Sequence, residues 1–207
     1  MAAPPSVRRI VRPALLAAGL LLAAAPAFPS AFDDGNAAWE RGEYVLAVPA
    51  YRDAAAEAIP GAMLRLSIAY EFGLGVDADD EAAAEWLRQA AATGDVVAQH
   101  ELGLWHVTGH VVAGDPEEAV RLFRLAAHRG YLPAQYALAQ QLERGDGVRQ
   151  NLVEADAWYL LLGVRAPAFT WALDGRLRVE PNLTRAEQYE AEERALHLTG
   201  RYVTPFD

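Results

Sequence analysis

Three histidines, His100, His106 and His110, fall close together and are the side chains of this sequence best suited to holding a metal. A pair four residues apart chelates zinc when both members lie on one helix. Gly109 stands as a helix stop before His110, and His106 occupies a packing slot that Tyr70 and Leu142 fill elsewhere, so the trio reads as structural. Imidazole titrates near neutrality, which leaves a pH-sensing role open. Asp77, Asp79, Asp80 and Glu81 form an acidic knot, but the glycine and terminal glutamate of a calcium loop are missing. Capping of a helix and favourable placement against its dipole explain these acids better. Carboxylates are plentiful, so a carboxylate-dependent hydrolase acting on cell-envelope material is the alternative function. Their even spread, without a clustered His or Asn partner, argues against it. No catalytic residue, metal site or cofactor is assigned.

Other chemistry is excluded by residue type. The chain has no cysteine, hence no disulfide framework, thiol nucleophile or thiolate metal site. All 18 basic residues are arginine, which removes Schiff-base lysines, phosphate-loop lysines and serine–lysine pairs. Ser30 and Ser67 are the only serines after residue 27, and Ser67 shares its slot with Gly103 and Ala139, a close-packing position.

The elements that position these groups repeat with a fixed 36-residue period, three times, without insertion or deletion. Ala62, Ala98 and Ala134 are in step, as are Leu66, Leu102 and Leu138, then Gly73, Gly109 and Gly145. Val76, Val112 and Val148 keep the same beat, followed by Ala83, Ala119 and Ala155, and by Trp86, Leu122 and Trp158. Such a period marks a solenoid, in which each copy buries its apolar face only against its neighbours.

Each copy resolves into two helices. Ala62, Leu66, Ala69 and Tyr70 form one apolar stripe, and the glycines from Gly73 stop the helix. Asp79, Asp115 and Asn151 are N-cap types opening the second helix, with Pro116 at a first helical position and Glu118 and Glu154 at capping-box spacing. Ala83, Trp86, Leu87, Ala90 and Ala91 are its expected buried face. Two departures stand out. Val111 replaces the glycine of the other turns, which predicts a different backbone path there, and the second helix of copy three lacks the late alanines and glycine, which predicts an irregular end.

The pattern Ala98-Gln99-x-x-Leu102-Gly103 … Gly109 … Asp115-x-x-x-Ala119-x-x-Leu122-x-x-x-Ala126-Ala127-x-x-Gly130 resembles the Sel-one-like repeat family. The resemblance covers about residues 61–163 and implies an all-α, right-handed α-α superhelix of tetratricopeptide-like hairpins. It further implies an exported bacterial adaptor or regulator that binds other proteins, in roles such as envelope signalling or exopolysaccharide control.

Around three repeats at 61–94, 95–130 and 131–163, the flanks read as caps. Residues 28–60 hold two N-terminal helices, Asn36 to Arg41 and Glu43 to Ala58, with Pro49 kinking the second or marking its start. Residues 164–200 hold two C-terminal helices, near Ala168–Leu177 and from the Thr184–Glu187 capping box to Leu198, and 201–207 are a tail. Residues 1–27 read as a signal peptide: Arg8, Arg9 and Arg12, an apolar run from Ala14 to Ala25, then Ala25-Pro26-Ala27 for cleavage. The expected location is periplasmic or secreted, with no membrane insertion after cleavage. The formal charge of −10 then becomes −13, from 28 acids and 15 remaining arginines. That charge excludes nucleic acid and favours a neutral or basic protein or peptide partner.

The expected binding surface is the concave row along the first helices. By register it collects Arg65, Ile68 and Phe72, then Glu101, Leu104 and Thr108, then Ala137, Gln140 and Arg144. An apolar middle flanked by charges suits an extended peptide or a partner helix.

Overall fold

The computed structural model describes residues 30–168 and 170–202; the expected signal peptide lies outside the described residues. All regular structure among them is helical: α1 (Ala31–Glu40), α2 (Tyr44–Ala56), α3 (Pro60–Phe72), α4 (Asp80–Ala92), α5 (Val96–Thr108), α6 (Pro116–His128), α7 (Leu132–Arg144), α8 (Leu152–Arg165), α9 (Thr170–Val179) and α10 (Arg185–Tyr202), with a 3-10 turn at Glu180–Asn182. Each hairpin packs within itself and against the next helix in order, which is the solenoid the period predicts. No described helix is long and apolar enough to cross a membrane.

Local chemistry sets the helix starts. The side chains of Asp79, Asp115 and Asn151 accept from the backbone N–H of Ala82, Glu118 and Glu154, each at 3.0 Å. The reciprocal half of the expected capping boxes is absent at Glu118, whose carboxylate pairs with Arg121 at 2.6 Å instead. The reason is that each cap's own N–H is already used. Asp79, Asp115 and Asn151 donate to the carbonyls of Tyr70, His106 and Leu142, nine residues back, tying each turn to the helix before it. The capping box at Thr184 and Glu187 does form.

The turn of copy two keeps the left-handed conformation of its neighbours at position 111 but changes its hydrogen bonds: the Leu74 and Asp146 N–H groups donate to the Ala69 and Gln141 carbonyls, whereas those of His110 and Val112 donate to the Thr108 hydroxyl and the His110 carbonyl. Val111 has φ +63°, beside +75° at Gly75 and +68° at Gly147. A β-branched residue is strained in this left-handed region. The surrounding hydrogen bonds hold the turn where glycine would rest freely. Copy three ends as expected: Ala166 follows α8 with φ −142° and no left-handed cap.

Both caps differ in detail from the sequence reading. α1 begins at Ala31, five residues before Asn36, under a Ser30–Asp33 capping box. Pro49 lies inside α2, exposed on its outer side. α10 packs against α8 rather than against α9, so the last two helices flank α8 and are not a fourth hairpin. α10 also continues to Tyr202, two residues into the expected tail, and 203–207 lie outside the described residues. In α4 the buried face is Ala83, Ala84, Leu87, Ala90 and Ala91, and Trp86 is half-buried at its edge.

Candidate functional site

A groove of about 430 Å³ opens on the face made by the first helices. Phe32 of α1, Leu64, Arg65, Ser67, Ile68 and Glu71 of α3, and Val97, Glu101 and Trp105 of α5 form its walls, with Leu87 of α4 at its base. Phe32 reaches the wall because Gly61 leaves room for its ring: a Cβ there would lie 2.7 Å from it. Most of the lining is apolar, and the charges sit around it. The Arg65 guanidinium lies 5.2 Å from the Trp39 ring centroid, a cation–π placement that aims the side chain. Glu71 Oε1 is 2.9 Å from His110 Nε2, and that imidazole meets Trp105 edge-on. Glu101 Oε1 is 3.1 Å from His100 Nδ1.

Of the nine residues expected along the concave row, Arg65, Ile68 and Glu101 line this groove. Phe72 is exposed beyond it, and Leu104 is half-buried against the core of the second half. The Thr108 hydroxyl turns back to donate to the Leu104 carbonyl at 2.9 Å. Ala137 is a correction: at 7% exposure it belongs to the core, because the small residue lets neighbouring helices close over it. Gln140 donates to the Tyr136 hydroxyl at 3.2 Å, and Arg144 is exposed at the end of α7. The row is therefore a surface in its first half. In its second half Tyr136 stacks edge-on against Trp171 of α9, which covers it.

The three histidines do not converge. His100 is buried against Phe123 and Tyr131, His106 Nδ1 faces the Ala113 carbonyl at 3.2 Å, and His110 takes Glu71. The described residues contain no group of three or more His, Asp or Glu placed to hold a metal.

Beneath the C-terminal cap two carboxylates have displaced titrations. Glu143 accepts from Arg178 at 2.8 and 3.0 Å and from the Tyr159 hydroxyl at 2.6 Å, and Arg178 above all holds it below the usual carboxylate range. Asp156 is fully buried, with the Arg176 guanidinium 3.5 Å away, and burial pushes its carboxyl up. Neither lies in the groove.

The sequence reading missed Phe32, Leu64, Glu71, Leu87, Val97 and Trp105 as lining residues. A signal for two of them was available in the repeat itself: Leu87 is in step with Phe123 and Tyr159, and Glu71 with Val107 and Glu143.

Stacked helical hairpins with an open groove on their first-helix face define an interaction scaffold of the α-solenoid class. The repeats match the Sel1 repeat model at residues 60–95, 96–131 and 132–162, and the chain belongs to the Sel1 repeat family, whose repeats mediate protein–protein interaction. Chitin synthase regulatory factor 3 of Schizosaccharomyces pombe is 31% identical over 113 residues, 53% of this chain, but the chain spans only 12% of that relative's length. Among solved structures, a protective antigen present in uropathogenic Escherichia coli strains has 26% identity and TM-score 0.69, over 81% of this chain and 38% of that one. A Sel1 repeat protein from Oxalobacter formigenes has 28% identity and TM-score 0.61, over 67% of this chain and 56% of that one.

Proposed function

We propose that this chain is an exported adaptor or regulator that binds a peptide or helix of a partner protein in the groove between α1, α3 and α5. The observation that carries this reading is the groove itself: three successive first helices supply an apolar channel with Arg65, Glu71 and Glu101 around it. Partner recognition in such a channel takes its affinity from apolar anchors and its register from the surrounding charges. The acidic balance of the chain favours a neutral or basic partner. Export rests on the arginine-rich start, the short apolar run and the Ala25-Pro26-Ala27 site, and places the adaptor in the periplasm or outside the cell. The regulatory name of the fungal relative suits the same kind of role, at the level of the repeats alone.

The test has two parts. Cross-linking of the native chain in intact cells, followed by purification of the partner, gives a pair whose affinity is measured with Val97→Glu. Val97 is 37% exposed on the groove wall, so the variant places a charge in the channel without opening the core. Roughly tenfold weaker binding with an unchanged melting temperature is expected for a lost apolar anchor. Unchanged affinity overturns the groove assignment. N-terminal sequencing of the protein from the envelope fraction should begin at Phe28, and a cytoplasmic chain beginning at Met1 refutes export.

A further inference from the structure

Because the period is constant, the repeats can be compared slot by slot, and copy one differs from copy three at a single telling place. In copy three Tyr159 comes from the second helix, is 1% exposed, and donates its hydroxyl to Glu143 at 2.6 Å. Arg178 completes the arrangement by donating to both oxygens of the same carboxylate. In copy two the slots hold Phe123 and Val107: the ring has no hydroxyl and the facing position no acceptor. In copy one the slots hold Leu87 and Glu71, an acceptor without a ring. His110, 2.9 Å away, stands on Glu71 where Arg178 stands on Glu143.

This is also why a groove exists in copy one. In copy two the Phe123 ring fills the space beside Gly103 so closely that a Cβ at that glycine would lie 2.6 Å from it. In copy one a leucine replaces the ring, and the space beside Ser67 opens outward with Leu87 at its base. Ser67 is 2% exposed and lines this space, its hydroxyl at the groove wall.

We propose that the groove takes a tyrosine side chain presented by a partner peptide, its ring over Leu87 and Leu64 and its hydroxyl donating to Glu71, as Tyr159 donates to Glu143. This rests on the adaptor reading and names the anchor that the adaptor reads. The hydroxyl oxygen is left free to accept from Ser67. A phenylalanine fills the same volume but leaves Glu71 without its donor, and a phosphotyrosine brings its negative charge against Glu71 and Glu101.

The probes are the capped peptide acetyl-Ala-Ala-Tyr-Ala-Ala-amide, its phenylalanine and phosphotyrosine counterparts, and p-cresol. Each is titrated into the full chain and followed by the methyl resonances of Leu64 and Leu87 and the Trp105 indole. The tyrosine peptide is expected to saturate these signals about tenfold more tightly than the phenylalanine peptide, the difference a hydrogen bond to a charged group makes. The phosphotyrosine peptide is expected to leave them unmoved. Glu71→Val, which reproduces copy two, should bring the two affinities together, and Leu87→Tyr, which reproduces copy three, should abolish binding. If Leu87→Tyr loses its helical circular dichroism, Glu71→Val decides alone. Equal affinities in the native chain, a folded Leu87→Tyr that still binds, or p-cresol binding without peptide binding each overturns the proposal. If the tyrosine preference is absent while Val97→Glu still weakens partner capture, the anchor is wrong and the adaptor reading stands.

Discussion

Two glycines with the same backbone conformation and opposite surroundings isolate how tightly the hairpins stack. Gly42 has φ +75° and nothing within 4 Å of where a Cβ would stand. Gly147 has φ +68°, but an added Cβ would collide with the Pro116 carbonyl and lie 2.7 Å from the Glu117 nitrogen, at the start of α6. Alanine in the left-handed region costs about 1–2 kcal/mol, offset by about 0.4–1 kcal/mol from the stiffer unfolded chain. Gly42→Ala should therefore destabilise by about 1 kcal/mol. Gly147→Ala carries the same strain and must also push α6 away from the turn of the next repeat. Overpacking of this kind adds about 1–3 kcal/mol, for a total of about 2–4 kcal/mol. Urea denaturation followed by helical circular dichroism, run on both variants, measures the difference directly. If Gly147→Ala costs no more than Gly42→Ala, the turn does not bear on the preceding repeat and the close stacking described above is wrong.

The C-terminal cap gives two further expectations. Asp156→Asn should remove a pH dependence: a carboxyl whose folded pKa is raised contributes stability that is complete below its ordinary value of 3.8 and is lost as pH rises through the raised value. Melting at pH 4 and pH 8 should show a smaller difference in the variant than in the native chain, and an identical difference refutes the assignment. Tyr159→Phe should destabilise by about 1–2 kcal/mol through loss of the hydroxyl bond to the Glu143 carboxylate. In Glu143→Gln the same substitution should cost less, and equal losses in both backgrounds show that the two side chains are not coupled.

Much of the fold was legible because its signals are local. Asp79, Asp115 and Asn151 announce helix starts by side-chain chemistry, and the glycines after Phe72, Thr108 and Arg144 announce stops. The start of α1 was hidden by Gly35, a poor helix residue that is present because the Tyr51 ring lies where its Cβ would be, at 2.7 Å. That contact joins residues sixteen apart on different helices, and no local pattern carries it. The docking of α10 on α8 was hidden for the same reason: register orders the hairpins but does not say which neighbour a cap will choose. The nine-residue row placed Arg65, Ile68 and Glu101 at the groove, yet it extended the surface to Ala137, which the packing of α7 buries.

Repetition makes small differences informative. The backbone turns of the three copies share their φ signs even where Val111 replaces glycine, so the helices that flank each slot sit in comparable frames. Within such a frame a change of side-chain volume cannot be absorbed by moving the helices, since neighbours on both sides hold them. It emerges as space. Phe123 and Tyr159 seal copies two and three from within, and in copy three Trp171 lies over Tyr136 from outside. Leu87 leaves copy one open at its base, where Phe32, Val97 and Trp105 can only wall the sides. A ring that fits this opening need not be recognised by a new architecture, because copy three already shows how this fold holds one: Tyr159 is buried along its ring, and the Glu143 carboxylate at the end of the first helix accepts from its hydroxyl.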